Sequence, residues 1–212
     1  MSERQSLKIS SRKLPKQARS TDLVAAILEA AAQVLAKEGA HRFTTARVAE
    51  KAGVSIGSLY QYFPNKAAIL FRLQSDEWQQ TTGLLHEILQ DKSKAPLDRL
   101  RALIHAFLHS ECEEAAMRVA LSDAAPLYRD APEAKEVKAS GEKAMQAFMR
   151  EVLPKAAKAK REIAGELVKA TMSAVGKEFS ESPRTESEIK AYADAMADMF
   201  CAYLKQLGAG SS

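Results

Sequence analysis

Thr44–Phe63, TTARVAEKAGVSIGSLYQYF, is the stretch whose reading decides the fold. Thr44 carries a hydroxyl that can accept from a free amide of a first helical turn, so it predicts an N-cap. Val48, Ala49 and Ala52 form an apolar stripe at helical spacing. Gly53 stands where the chain must turn sharply, in a conformation that glycine adopts at little cost. Ser55 predicts the cap of a second helix, with Val54, Ile56 and Leu59 pointing inward. Ser55, Ser58, Gln61, Tyr60 and Tyr62 are then expected to face out, and Ala49 is small enough for two helices to cross closely. A short helix pair whose second member shows polar, uncharged side chains fits docking in the DNA major groove. A tight helical hairpin inside a core is the alternative, and the surroundings weigh against it.

Charge is concentrated where that segment lies. Residues 1–66 carry 11 Lys/Arg against 5 Asp/Glu, whereas residues 67–212 carry 20 against 22. A local basic excess attracts phosphate irrespective of base sequence; a solubilising basic tail is the alternative. No apolar run approaches the roughly 20 residues of a membrane span. MSERQSLKISSRK has no apolar h-region and predicts no secretory signal. Cys112 and Cys201 lack metal or redox spacing and predict reduced thiols. Together these features predict a cytoplasmic protein without membrane contact.

Prolines and glycines fall mostly between periodic segments, which predicts an all-α chain of about nine helices, three and then six. Residues 1–19 read as a flexible basic arm, with Arg12, Lys13, Lys16 and Arg19 near its end. A first helix is predicted over Thr21–Lys37, ended by Gly39. After Pro64, Asn65 predicts the cap of a long helix reaching Gln90, with Gly83 as a weak point. Pro96 opens the next helix, Glu114–Ser122 forms another, and Asp123–Pro132 reads as a connection. The last three helices are expected over Pro132–Val152, Lys160–Phe179 and Glu188–Leu207, and residues 208–212 as a flexible tail.

Ile27–Phe71, ILEAAAQVLAKEGAHRFTTARVAEKAGVSIGSLYQYFPNKAAILF, resembles the tetracycline-repressor (TetR) family of bacterial transcriptional regulators. The resemblance rests on a first helix ending in glycine, the Thr-Thr start of helix two, the GVS turn, LYQYF, and the F-P-N-K start of helix four. Outside that run only length and helical character are similar. The resemblance implies a helix-turn-helix DNA-binding domain over residues 20–66 and a helical effector-binding and dimerisation domain over residues 67–207. It further implies that Thr45 touches phosphate and that Arg47 reaches phosphate or a base edge. Ser55, Ile56, Gly57 and Ser58 would enter the major groove, and Tyr60 and Tyr62 would place hydroxyls on phosphates. Lys66 would add charge beside the first amides of helix four, and the arm would follow the backbone or a minor groove. Two alternatives stay open: Tyr62 packed against helix one, and Ile56 in the core. Helix three lacks an early Arg, Asn or Gln, so phosphate contacts and DNA shape are expected to share the specificity.

In members of that family the larger part pairs through its last two helices and holds a small molecule among the middle ones. The sequence itself favours an exposed apolar face on the final helix, in Ile189, Tyr192, Met196, Met199, Phe200, Tyr203, Leu204 and Leu207. The resemblance implies that Ile163, Leu167, Ala170 and Ala174 join them from the helix before, and two-fold pairing into a four-helix bundle would cover the whole. An ordinary core helix is the alternative. Pocket candidates are Trp78, His105, Phe107, His109, Cys112, Met117, Tyr128, Met145, Phe148 and Met172, because Met and aromatic groups suit a malleable apolar cavity. Such stripes also serve as plain core. His105 and His109, with Cys112 and Glu113, have a spacing that can hold a transition metal, but no second ligand pair accompanies them and no metal is expected.

The expected function is a homodimeric repressor that leaves a palindromic operator in double-stranded DNA when an unidentified, largely apolar small molecule binds and swings helix four. A helical adaptor or ligand-binding protein without regulatory DNA binding is the alternative, and an enzyme is the remaining one. The chain is read as having no G-x-S-x-G nucleophile elbow, P-loop, H-E-x-x-H or dinucleotide fingerprint, so neither catalysis nor a cofactor is expected.

Overall fold

Four helices of this chain begin at a side-chain cap that the sequence offers, in a computed structural model that describes residues 18–127 and 132–210. Thr44 caps α2 (Thr45–Lys51), and Ser55 caps α3 (Ile56–Tyr62). The Asn65 side chain accepts from the Ala68 amide at 2.9 Å and opens α4 (Lys66–Gln90), which runs unbroken past Gly83. Pro96 stands in the first turn of α5 (Pro96–Glu113), where a missing N–H costs nothing. Thr185 and Glu188 form a reciprocal capping box at the start of α9 (Glu186–Gln206). That box starts the helix two residues before the sequence expectation. α1 (Ala18–Arg42) is interrupted at Gly39, whose φ of 73° ends the regular run as expected. α6 (Ala115–Ala124), a 3-10 turn (Ala125–Leu127), α7 (Pro132–Val152) and α8 (Lys158–Ser180) complete the order. Among the described residues every regular element is helical, and no helix is long and apolar enough to cross a membrane.

By packing, the chain forms two compact units that part within α4, between Trp78 and Gln79; the sequence reading divides function after Lys66. The first unit also takes in Ala116–Val137. Its core joins Ile27, Ala31 and Leu35 of α1, Phe43, Val48 of α2, Leu59 of α3, Phe63, Leu70 of α4 and Leu121 of α6, all essentially without solvent contact. α2 packs on α1 and α3 on α2.

In the second unit α5 lies against both α8 and α9. Leu100, Leu103, Ile104 and Leu108 meet Val168 and Met172 of α8 and Ala193, Ala197, Phe200 and Leu204 of α9 in one core. Arg99 is buried among them at 1% exposure. Its guanidinium donates to the Glu151 carboxylate at the end of α7 and to the Leu89 carbonyl at the end of α4, and lies 5.7 Å from the Phe148 ring centroid. One buried side chain thus ties three helix ends together. The Arg99 hydrogen bond, and then that of Lys92, hold the Glu151 carboxyl below its ordinary range.

The apolar stripe of α9 divides differently from the sequence expectation. Ile189, Met196, Phe200 and Leu204 are core residues of their own unit and do not offer a free face. Tyr192 and Met199 are exposed, and Tyr203 is half-buried. On α8, Ile163, Leu167, Ala170 and Ala174 are all exposed, Ile163 at 62%. The stripe is wider than one face, and its two halves have different fates.

Glu151→Gln leaves the buried guanidinium without its counter-charge and is expected to lower stability by about 2 kcal/mol at neutral pH; Glu151 is partly exposed, so the loss falls below the ~3–5 of a fully buried pair. A carboxyl held below its ordinary range stabilises fully above that range and loses the contribution as pH falls through it. Urea denaturation at about pH 7 and about pH 3 should therefore show the gap between wild type and variant shrinking in acid.

Candidate nucleic-acid interface

The surface of α3 is made by its caps and by one turn. Thr44, at φ −133° and ψ 149°, accepts from the Arg47 amide at 3.3 Å. Gly53 has φ 67°, a left-handed conformation that costs other residues about 1–2 kcal/mol. There the Gly53 amide donates to Glu50 O at 3.1 Å and the Val54 amide to Ala49 O at 3.0 Å, closing α2. Ser55 then accepts from the Ser58 amide at 3.0 Å, and the two serine hydroxyls lie 2.8 Å apart. Gly53–Gly57, GVSIG, spells the G-x-S-x-G pattern of a nucleophile elbow, which corrects the expectation that the chain has none. That motif needs a strand running into a helix. Here it joins two helices, and the Ser55 oxygen is engaged as a cap.

Leu59 and Tyr62 anchor α3 in the core, leaving Ser55, Ile56, Gly57, Tyr60 and Gln61 exposed and Ser58 half-buried. Two expectations are corrected. Ile56 does not point inward: it is 42% exposed. Tyr62 does not face out: it is 8% exposed and packs in the first core. Three residues after Leu59, it shares the buried face of the helix. Tyr60 stands free of the core, and its hydroxyl lies 3.0 Å from that of Thr45, joining α3 to the start of α2. Lys66 is exposed on the first turn of α4. Arg47, exposed on α2, donates through Nη1 to the Glu38 carboxylate and, at 3.2 Å, to the Arg42 carbonyl. The sequence reading missed Glu38, because a partner nine residues away across a turn follows no helical spacing. Arg12, Lys13 and Lys16, and the Arg19 side chain, lie outside the described residues.

Nine of the ten pocket candidates lie among the described residues, two in the first unit and seven in the second. Trp78 and Met117 pack against the first core. Phe148 and Met172 are buried in the second, where Phe107 lies against Gly176 so closely that a Cβ there would come within 2.7 Å of its ring. Met145 lines a groove of 480 Å³ between α7 and α8, with Met149 and Gly165 on its floor and Arg150, Arg161 and Lys169 among its polar lining. His105 and His109 line a more open groove beside Glu186 and Lys190. His105 pairs with Asp194 at 2.9 Å, and His109 with Glu113 at 3.2 Å and Glu186 at 3.4 Å. Cys112 is half-buried and its thiol is pushed up by burial. Tyr128 lies outside the described residues. Among the described residues no three His, Cys, Asp or Glu side chains gather as a metal-ligand set.

Two family profiles match the chain. Residues 27–73 match the bacterial regulatory proteins of the tetR family, and residues 95–207 match the tetracyclin repressor-like C-terminal domain. The nucleoid occlusion factor SlmA of Vibrio campbellii is 40% identical over 83 residues, 39% of this chain and 42% of that protein. The fatty acid metabolism regulator protein of Bacillus subtilis is 35% identical over 69 residues, 32% of this chain and 36% of that one. The chain thus spans less than half the length of either sequence relative. The structure of the fatty acid degradation regulator FadR from Bacillus halodurans superposes with a TM-score of 0.66 at 16% identity, over 92% of this chain and 97% of that one. Likeness at that identity is one of fold.

The two glycines of the turn are expected to respond oppositely to alanine. Gly53→Ala forces a Cβ into a left-handed conformation and should lower stability by about 1 kcal/mol. Gly57 is helical, and an added Cβ would meet only Ser55 Oγ at 3.8 Å, so Gly57→Ala should raise stability by up to about 1 kcal/mol. Thermal melts of the two variants check the pair.

Proposed function

This chain belongs to the tetR family of bacterial regulatory proteins, and on that footing we propose that it is a homodimeric, DNA-binding transcriptional regulator whose operator affinity falls when a small, largely apolar effector binds. The observation that carries the reading is the α3 surface. Its apolar residues Leu59 and Tyr62 are spent on the core, and Ile56, Gly57, Tyr60 and Gln61 stand exposed without a charge among them. Gly57 has open space for close backbone approach, and Ile56 offers an apolar contact of the kind a thymine methyl accepts. Thr45, Ser55, Ser58 and Tyr60 supply hydroxyls for phosphate or base edges, Arg47 supplies guanidinium donors beside its Glu38 partner, and Lys66 supplies charge at the rim. Tyr62 is not assigned a phosphate contact, since its ring is in the core.

Residues 20–66 serve in this proposal as the reading head, and residues 67–207 as the sensing and pairing part. Two heads must stand about one DNA turn apart to read a two-fold site, so pairing is part of the mechanism. The exposed apolar residues of the last two helices support a second copy as their cover: Ile163, Leu167, Ala170 and Ala174 at four-three-four spacing on α8, and Tyr192 and Met199 on α9. The Met145 groove between α7 and α8 is the place proposed for an effector whose apolar part meets Met145 and Met149 and whose polar edge meets the charged side chains that make up most of the lining. Its influence on DNA binding requires a different affinity for two states of the protein, and α4, which contributes residues to both packing units, is the proposed connection.

Fluorescence anisotropy on operator and unrelated duplexes tests the reading head. Lys66→Ala should weaken binding on every duplex and flatten the salt dependence by about 0.9 in log–log slope. Ile56→Ala should alter base preference at one position, by about tenfold. Loss of neither property would remove both residues from the interface. For pairing, Ile163→Glu with Leu167→Glu should give folded monomers by light scattering; persistent dimers would place the interface elsewhere.

A further inference from the structure

Arg47 is the one arginine of the helix-turn-helix segment, and its charge is already engaged within the head. Glu38 occupies the last regular position of α1, since Gly39 turns the chain away at φ 73°. Its carboxylate meets Arg47 Nη1 across that turn, and the Arg42 carbonyl takes the same nitrogen at 3.2 Å. Both side chains keep contact with solvent, Glu38 at 30% and Arg47 at 46%. The pair is therefore open to exchange with a phosphate. Among the described contacts both bonds run through Nη1, which leaves the Nη2 and Nε donors for another acceptor.

We propose that Glu38 is a specificity-determining positioning residue, which fixes Arg47 for one contact on cognate DNA and suppresses its attraction to phosphates elsewhere. The inference rests on the DNA-binding reading above. Binding to unrelated duplex is driven by cations that displace condensed counterions. An arginine held against a carboxylate contributes little to that term unless the ion pair opens. On a cognate site the pair stays closed and presents the remaining donors at a fixed place, so Glu38 costs the specific complex less than the non-specific one. Asp22, Glu29 and Glu50, the other acidic residues of the head, form no ion pair to Arg47 among the described contacts.

The test compares wild type, Glu38→Gln, Arg47→Ala and the double variant on a selected duplex and on an unrelated one, across a salt series. Glu38→Gln keeps the shape of the side chain and removes its charge. It is expected to tighten binding to unrelated DNA several-fold and to steepen the log–log salt slope by about 0.9, which adds a threefold to fourfold loss between about 50 and 200 mM salt. The ratio of selected to unrelated affinity should fall, and in the Arg47→Ala background Glu38→Gln should change nothing. A general charge effect, seen equally on both duplexes or undiminished in the Arg47→Ala background, overturns the inference, as does an unchanged slope. Those outcomes leave the DNA-binding reading intact, whereas a wild type that binds no duplex overturns both. Circular dichroism melts confirm that each variant is folded before its slope is read.

Discussion

A helix of seven residues does not hold its shape in water, because too few hydrogen bonds repay the cost of starting it. α3 therefore exists only through what it buries, and the burial of Leu59, with Tyr62 and Phe63 beside it, decides its orientation. Burying a leucine contributes about 1.5–3 kcal/mol, enough to outweigh the weak local preferences of IGSLYQY. Once Leu59 faces Phe43, Val48 and Ile27 in the core, the remaining side chains have no choice of direction. The exposed, uncharged surface of α3 is thus a consequence of packing. Every functional role proposed for the head depends on that orientation.

The first unit was largely legible because its signals are local. Thr44, Gly53, Ser55 and Asn65 act within four residues of themselves, and each does in the structure what its chemistry leads one to expect. The misreadings of Ile56 and Tyr62 come from angular geometry applied too coarsely. At 3.6 residues per turn, Tyr60 and Tyr62 lie about 160° apart and cannot both face out. The direction midway between Leu59 and Tyr62 lies about 90° from Ile56, which puts that first helical residue on the flank of the core. The pattern held the answer, had the burial of Leu59 been used to fix the rotation.

The second unit was legible in its elements and poorly in its faces. α7 begins and ends where Pro132 and Val152 suggest, yet the bulky stripe of α9 mixed residues of two environments. Ile189, Met196, Phe200 and Leu204 turn to α5 and its neighbours, while Tyr192 and Met199 lie round the helix and stay outside. Periodicity marks where apolar residues recur and says nothing of whether the cover is the same chain or another. Arg99 was unreadable for a related reason. An arginine among leucines looks like a surface residue until Glu151, fifty-two positions away, and the carbonyl of Leu89 are placed beside it. The pocket candidates carry the same ambiguity, since Met and aromatic residues line cavities and fill cores with equal ease.

The central claim, that the α3 surface reads duplex DNA as one half of a symmetric pair, is tested most directly by selection of bound duplexes from a random-sequence library with the full chain. The expected result is an enriched two-fold symmetric site whose half-sites stand about one helical turn apart. Enrichment should be lost when Ile56 and Ser58 are replaced together by glutamate. A library that emerges without a common motif, or a motif that survives that replacement, would contradict the claim.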